Sequence, residues 1–202
     1  MAKAAWLTLS PAQGSGNGNI KNTATAHTGR VARNTTVTVA ATGVEEPATY
    51  KVNQKAKTEF VQFTEGAEMS APKTGGAVTV QGKSNSKILT FAWVGAVSDV
   101  EIPGSYQANG SSATNGEAIT GDPGATAEYD FSLSLTFPEN TTVDEVTRTL
   151  KVTAEGGQEV QIAIKQAAGD AFISVDPTEI TLEADGTAVS VTVKSNTQWT
   201  AS

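Results

Sequence analysis

Four aromatic side chains, Trp6, Trp93, Trp199 and Tyr106, are the residues best suited to touching a ligand in this sequence. A flat ring stacks on the apolar face of a pyranose, so the chemistry they offer is sugar contact rather than bond making. Each Trp has a competing role, because a Trp in a two-layer β-sandwich usually fills the space between the sheets. Tyr106 is expected to be the most open of the four, since the stretch around it reads as a loop with no core to fill. The sets of residues that catalysis needs are missing. The single histidine, His27, sits in a Thr/Ala-rich segment with no Ser/Asp partners at motif spacing. Glu45-Glu46 beside Pro47 and Asp144-Glu145 after Pro138-Glu139-Asn140 read as solvated turn charge. Asp122-Pro123-Gly124 and Asp185-Gly186 are turn formers, because the alternating ligands of a calcium loop do not follow them. Gly14-Ser15-Gly16-Asn17-Gly18 lacks the Lys-Ser/Thr and the helix that a phosphate cradle requires, and reads as a hairpin loop. The absence of cysteine removes disulfides, thiol catalysis and Cys-ligated zinc together. No enzyme activity, cofactor or metal is expected.

The elements that would carry the aromatic residues are strands. At 38% apolar and 17% charged residues the chain has a globular balance, and Thr, Ser, Val and Ala punctuated by 19 Gly are an all-β vocabulary. Period-two alternation predicts strands at 60–64, 77–81, 88–94, 129–137, 147–154 and 159–166, with one apolar and one polar face each. Between Asp99 and Ala127 lies a Gly-, Ser-, Asn- and Ala-rich stretch that reads as a long loop insertion. The net charge of -7 and a pI near 4.7 argue against nucleic acid, whose affinity comes from Lys and Arg neutralising phosphates. No run of 18 apolar residues is present to span a membrane. The amino terminus shows no basic segment followed by a long apolar one, so export by the usual signal is not expected.

The chain repeats itself. Phe60-Val61-Gln62-Phe63 recurs as Phe172-Ile173-Ser174-Val175, and Val52-Asn53-Gln54-Lys55-Ala56 as Ile164-Lys165-Gln166-Ala167-Ala168, both 112 positions on. Ala77-Val78-Thr79-Val80 with Lys83-Ser84-Asn85 recurs as Ala188-Val189-Ser190-Val191 with Lys194-Ser195-Asn196, 111 positions on. The middle segment, 58–168, therefore matches the chain's end with its first half and the chain's beginning with its second half. This predicts tandem sandwiches: a complete one at 58–168 with the 99–127 insertion, and one split between 1–56 (its closing strands) and 170–202 (its opening strands). Neither end piece has core enough to be stable alone. The tail is expected to complete the head of a neighbouring chain, or of its own. The three-residue linkers, 57–59 and 169–171, reach only about 10 Å each, which favours head-to-tail association of copies over self-closure. Such a contact gives a ring or an open filament.

Trp6-Leu7-Thr8-Leu9-Ser10-Pro11, a Gly-rich turn, an Asn/Thr strand, an Arg-led strand and a closing Val-x-Gln-x-Ala together resemble the BACON domain, a family common in gut Bacteroidetes and their phages. Residues 173–178 through Ser195-Asn196-Thr197-Gln198-Trp199-Thr200-Ala201 are similar to that family's first strands. The resemblance implies immunoglobulin-like sandwiches and, for the family, carbohydrate or mucin binding. It transfers no residue role. The resulting expectation is a structural or adhesion protein of a phage virion, a capsid auxiliary or decoration protein assembled in the host cytoplasm by strand complementation, with itself and other virion proteins as partners. The alternative is a carbohydrate-binding module of a secreted glycan-processing protein, extracellular or at the cell surface.

Overall fold

The computed structural model describes residues 3–202. The amino-terminal segment holds β1 (Leu7–Ser10), β2 (Lys21–Ala24), β3 (Arg33–Val39) and β4 (Ala48–Gln54). The middle segment holds β5 (Val61–Phe63), β6 (Glu68–Ala71), β7 (Gly76–Ser84), β8 (Leu89–Val94), β9 (Ser105–Ala108), β10 (Ser111–Thr114), β11 (Tyr129–Phe137), β12 (Val146–Ala154) and β13 (Glu159–Gln166). The carboxy-terminal segment holds β14 (Ile173–Asp176) and β15 (Thr192–Ser195). A single 3-10 turn, Pro123–Ala125, is the one helical element among the described residues.

The middle segment is a two-layer sandwich. One sheet runs β10-β9-β11-β7-β5 and the other β6-β13-β12-β8. The chain changes sheet between β5 and β6, and β6 joins the second sheet parallel to β13. Alternation is the cause: in β11, Tyr129, Phe131, Leu133, Leu135 and Phe137 all point inward and the residues between them outward. They meet Leu150, Val152, Ile162 and Ile164 from the facing sheet, all four fully buried. Phe131 packs edge-on against Phe91 at 5.6 Å and Phe63 at 6.1 Å between centroids, a geometry aromatic rings favour.

The stretch from Asp99 to Ala127 departs from expectation. It carries the β9–β10 hairpin, closed by Asn109-Gly110 at φ 51° and 74°. Ala108 pairs with Ser111 across that two-residue turn. Asn-Gly with both residues at positive φ suits the twist of a tight hairpin, and β9 then adds to the edge of β11. A composition rich in small polar residues concealed a strand pair whose inward side chains are Tyr106, Ala108 and Ala113.

The end segments are partial copies of this sandwich. Val61 pairs with Ser84 in the β5–β7 ladder, and Ile173 with Ser195 in β14–β15, the same register one repeat later. β3 and β4 pair as β12 and β13 do. The two end segments lie at opposite poles of the middle sandwich. The first meets the Ser84/Tyr129 end of the β7–β11 pair, through Asn85 and Glu128, and the second meets the Gly76/Phe137 end, through Lys73 and Thr141. Nine-residue strands at about 3.3 Å each put some 30 Å between those poles. Among the described residues the head strands β1–β4 and the tail strands β14–β15 share no ladder.

Candidate interaction surfaces

The four aromatic candidates are not brought together. Tyr106, expected in an open loop, is only 3% exposed. The β9–β10 hairpin turns it inward against Phe91, at 5.0 Å between centroids. Burial pushes its phenol up to about 12, partly offset by the nearby Leu89 backbone, and the hydroxyl makes no hydrogen bond of normal geometry. A ring so placed has no face for a sugar. Tyr106→Phe should therefore keep the unfolding free energy within about 1 kcal/mol of the parent in urea titration, whereas Tyr106→Ala should lower it by about 3 kcal/mol or more. Trp93 packs on the core edge and donates from Nε1 to the Val100 carbonyl at 2.7 Å. Trp6 is half-buried at the opposite end of the chain, with the Arg33 guanidinium 4.7 Å from its ring centroid. Trp199 alone stands out, with 52% of its surface exposed.

What the structure does assemble is a joint between consecutive modules. Residues 28–31 lie along the 124–128 backbone: Arg30 N donates to the Gly124 carbonyl at 2.9 Å, Val31 N to the Ala125 carbonyl at 3.0 Å, and Glu128 N to Thr28 Oγ1 at 3.0 Å. Gly29 is required there, because a Cβ would run into the Ala125 and Thr126 backbone. Arg30 and Asp122 form an ion pair beside this contact. At its centre Asn85, fully buried, uses every polar atom of its amide: Oδ1 accepts from Phe60 N at 2.9 Å, and Nδ2 donates to the Thr28 and Thr58 carbonyls at 3.1 and 3.3 Å. Ser84 Oγ donates to the Phe60 carbonyl at 2.7 Å, and Lys57 N to the Gly29 carbonyl at 2.9 Å.

The same joint is built again at the other pole. Asn196 Oδ1 accepts from Phe172 N at 3.0 Å, and its Nδ2 donates to the Thr141 and Asp170 carbonyls, both at 2.9 Å. Ser195 Oγ donates to the Phe172 carbonyl at 2.9 Å, and Gly169 N to the Thr142 carbonyl at 2.7 Å. Lys73 and Asp170, 2.5 Å apart, supply the flanking ion pair. An amide with donor and acceptor fully used holds one orientation, because breaking any bond would leave a polar group unpaired. The Lys-Ser-Asn repeat was visible in the sequence, yet nothing local shows that its asparagines clasp one module to the next.

A second repeated contact lies inside the first and the middle segments. Arg148, 8% exposed, donates from Nη1 to Gln166 Oε1 at 3.0 Å and pairs with Asp99. The hydrogen bond from Arg148, helped by its charge, holds the Asp99 carboxyl below the usual carboxylate range. Gln166 is fully buried, and its Nε2 reaches the Pro138 carbonyl at 2.7 Å and the Pro72 carbonyl at 3.2 Å. Arg33 and Gln54 repeat the contact at 2.9 Å in the first segment.

The remaining surface of interest is apolar and open. Ile173, Val175, Leu182, Val189 and Val191 are exposed in the last segment, although the equivalents of the last two, Val78 and Val80, are buried in the middle sandwich. In the first segment Leu7 and Val37 are the buried apolar side chains, while all of β2 is exposed. Among the described residues no group of three or more His, Cys, Asp or Glu could hold a metal ion, and no helix is long and apolar enough to cross a membrane.

Residues 1–57 match the family model described as the viral BACON domain. No curated protein sequence matches the chain. Among solved structures the chain is similar to a Bacteroides ovatus GH5 xyloglucanase in complex with a XXXG heptasaccharide, at TM-score 0.32 and 14% identity. That match covers 55% of this chain and 19% of the other, so the chain spans about a fifth of that protein's length. The similarity to the viral BACON domain thus falls on the first segment, residues 1–57, which pairs its β3 and β4 as the middle sandwich pairs β12 and β13.

Proposed function

We propose that this chain is a non-enzymatic structural and adhesion protein of a virion, a decoration or capsid auxiliary component whose sandwiches associate head to tail. The observation that carries the reading is the twice-built joint: a viral BACON-type segment is clasped to the next module by Asn85, and that module is clasped to a third by Asn196. Fully bonded linkages, buried at Asn85 and half-buried at Asn196, favour a fixed succession of modules over a flexible tether, which suits a role in spacing and display. Its partners in this reading are further copies of itself and other virion proteins. The test is direct. Antibody raised against residues 58–168 should label intact purified particles of the encoding virus and the protein should co-purify with them. Recovery only in the unassembled lysate, with unlabelled particles, overturns the proposal.

Trp199 favours a second reading, glycan adhesion, because an exposed indole is available to stack on a sugar. A glycan array should then show binding that Trp199→Ala abolishes and that Trp6→Ala leaves unchanged.

A further inference from the structure

β15 is a copy of β7 with one neighbour missing. In the middle sandwich β7 is held between β5 on one side and β11 on the other. β15 has β14, the copy of β5, in the same register, but its other edge is free. β2 is the matching vacancy. The joint equates Thr28 with Thr141 and Gly29 with Thr142, since each pair plays the same part in its hydrogen-bond set. Carried back along the strand, this places Ala24 on Phe137, Asn22 on Leu135 and Ile20 on Leu133. An independent observation agrees: Leu7 is buried and lies directly across from Ala24, so Ala24, Asn22 and Ile20 share the inward face, as Phe137, Leu135 and Leu133 do. Among the described residues β2 has β1 on one edge and no strand on the other.

Charge points to the occupant. Residues 1–56 carry six Lys or Arg against two Asp or Glu, whereas residues 170–202 carry one Lys against five Asp or Glu. The two incomplete pieces thus have opposite net charge, and about 30 Å of middle sandwich separates them in one chain. We propose that the free edge of β15 pairs antiparallel with the free edge of β2 from a second copy of this chain, with Thr23 opposite Ala188 and Lys21 opposite Ser190. The register is that of β7 on β11, where Thr136 faces Ala77 and Ser134 faces Thr79. In it Ile20 meets Val191 and Asn22 meets Val189 on the inward face, and residues 187–191, outside any strand in the lone chain, extend β15 to the length of β7. Backbone ladder bonds supply the attraction and alternate side chains the register. The inference rests on the head-to-tail reading and specifies its contact.

The absence of cysteine makes the test clean. Thr23 and Ala188 are both exposed, so the double variant Thr23→Cys/Ala188→Cys should fold as the parent does. Under mild oxidation at high protein concentration it should give a ladder of disulfide-linked multimers, at least tenfold stronger than the variant Thr23→Cys/Ser190→Cys, which is two residues out of register. High salt should weaken the ladder, as expected of oppositely charged pieces. Concentration-dependent mass by light scattering without the in-register cross-link overturns this pairing and leaves head-to-tail assembly standing. A monomer at every concentration overturns both. A disulfide formed only within one chain rejects the second copy as occupant.

Discussion

Leu135→Ala is expected to lower the unfolding free energy of the middle sandwich by about 3–4 kcal/mol. Leu135 is fully buried in the centre of β11, opposite Val78 of β7 and beneath the facing sheet. Four heavy-atom positions, three of them vacated, would leave a void between two sheets that are tied along their full length and cannot collapse onto it. Urea unfolding followed by intrinsic fluorescence should show a lower midpoint with an unchanged slope. A loss below about 1.5 kcal/mol would mean that the layers close over the gap. It would also mean the sandwich is less tightly packed than its alternation of inward residues requires.

Arg148→Met should cost about 2–3 kcal/mol by a different mechanism. Methionine restores much of the volume, so the loss is polar: Gln166 Oε1, fully buried, is left without the donor at 3.0 Å. The guanidinium's contact with the Phe137 ring, at 5.4 Å, goes as well. Asp99 contributes little of this, because its side chain is about half exposed and water replaces its partner. Asp99→Asn should therefore cost under about 1 kcal/mol. The pH dependence has a definite sign. The Asp99 carboxyl is held below its ordinary value by Arg148, so its stabilising share is complete above the unfolded value near 4 and is lost as pH falls through the lowered folded value. The parent should lose stability on acidification through that window more steeply than Arg148→Met does. Identical acid profiles for the two proteins would show that the pair is not formed in solution.

Both effects concern the frame that sets the two joints, for Gln166 holds the Pro72 and Pro138 carbonyls next to Lys73 and Asn140 at the pole where the last segment docks. Loss of that frame should loosen the clasp at Asn196 before it loosens the one at Asn85, which is anchored from the opposite pole. The order connects core packing to the function proposed: modules are presented in fixed succession only while each sandwich keeps its poles rigid.

The six strands that alternation predicts in the middle module are present, whereas β6 (Glu68–Ala71), too short to show a period, was not foreseen. Tyr129–Phe137 and Glu159–Gln166 have the bounds that alternation predicts, and β7, predicted over 77–81, runs on to Ser84 because β5 and β11 both pair with its far end. The β9–β10 hairpin was not legible as such, although Asn109-Gly110 carried a turn signal; small polar residues around it gave too little apolar contrast to register a period of two. Tyr106 was misplaced for the same reason.

By itself the sequence determined the all-β class, the inward faces of the long strands and the correspondence of each end with half of the middle, since alternation and repetition are properties of neighbouring residues along the chain. Only the tertiary structure decided what Asn85 does. Its acceptors at Thr28 and Thr58 lie 57 and 27 positions away, and no local pattern encodes a partner that folding alone brings within hydrogen-bond reach.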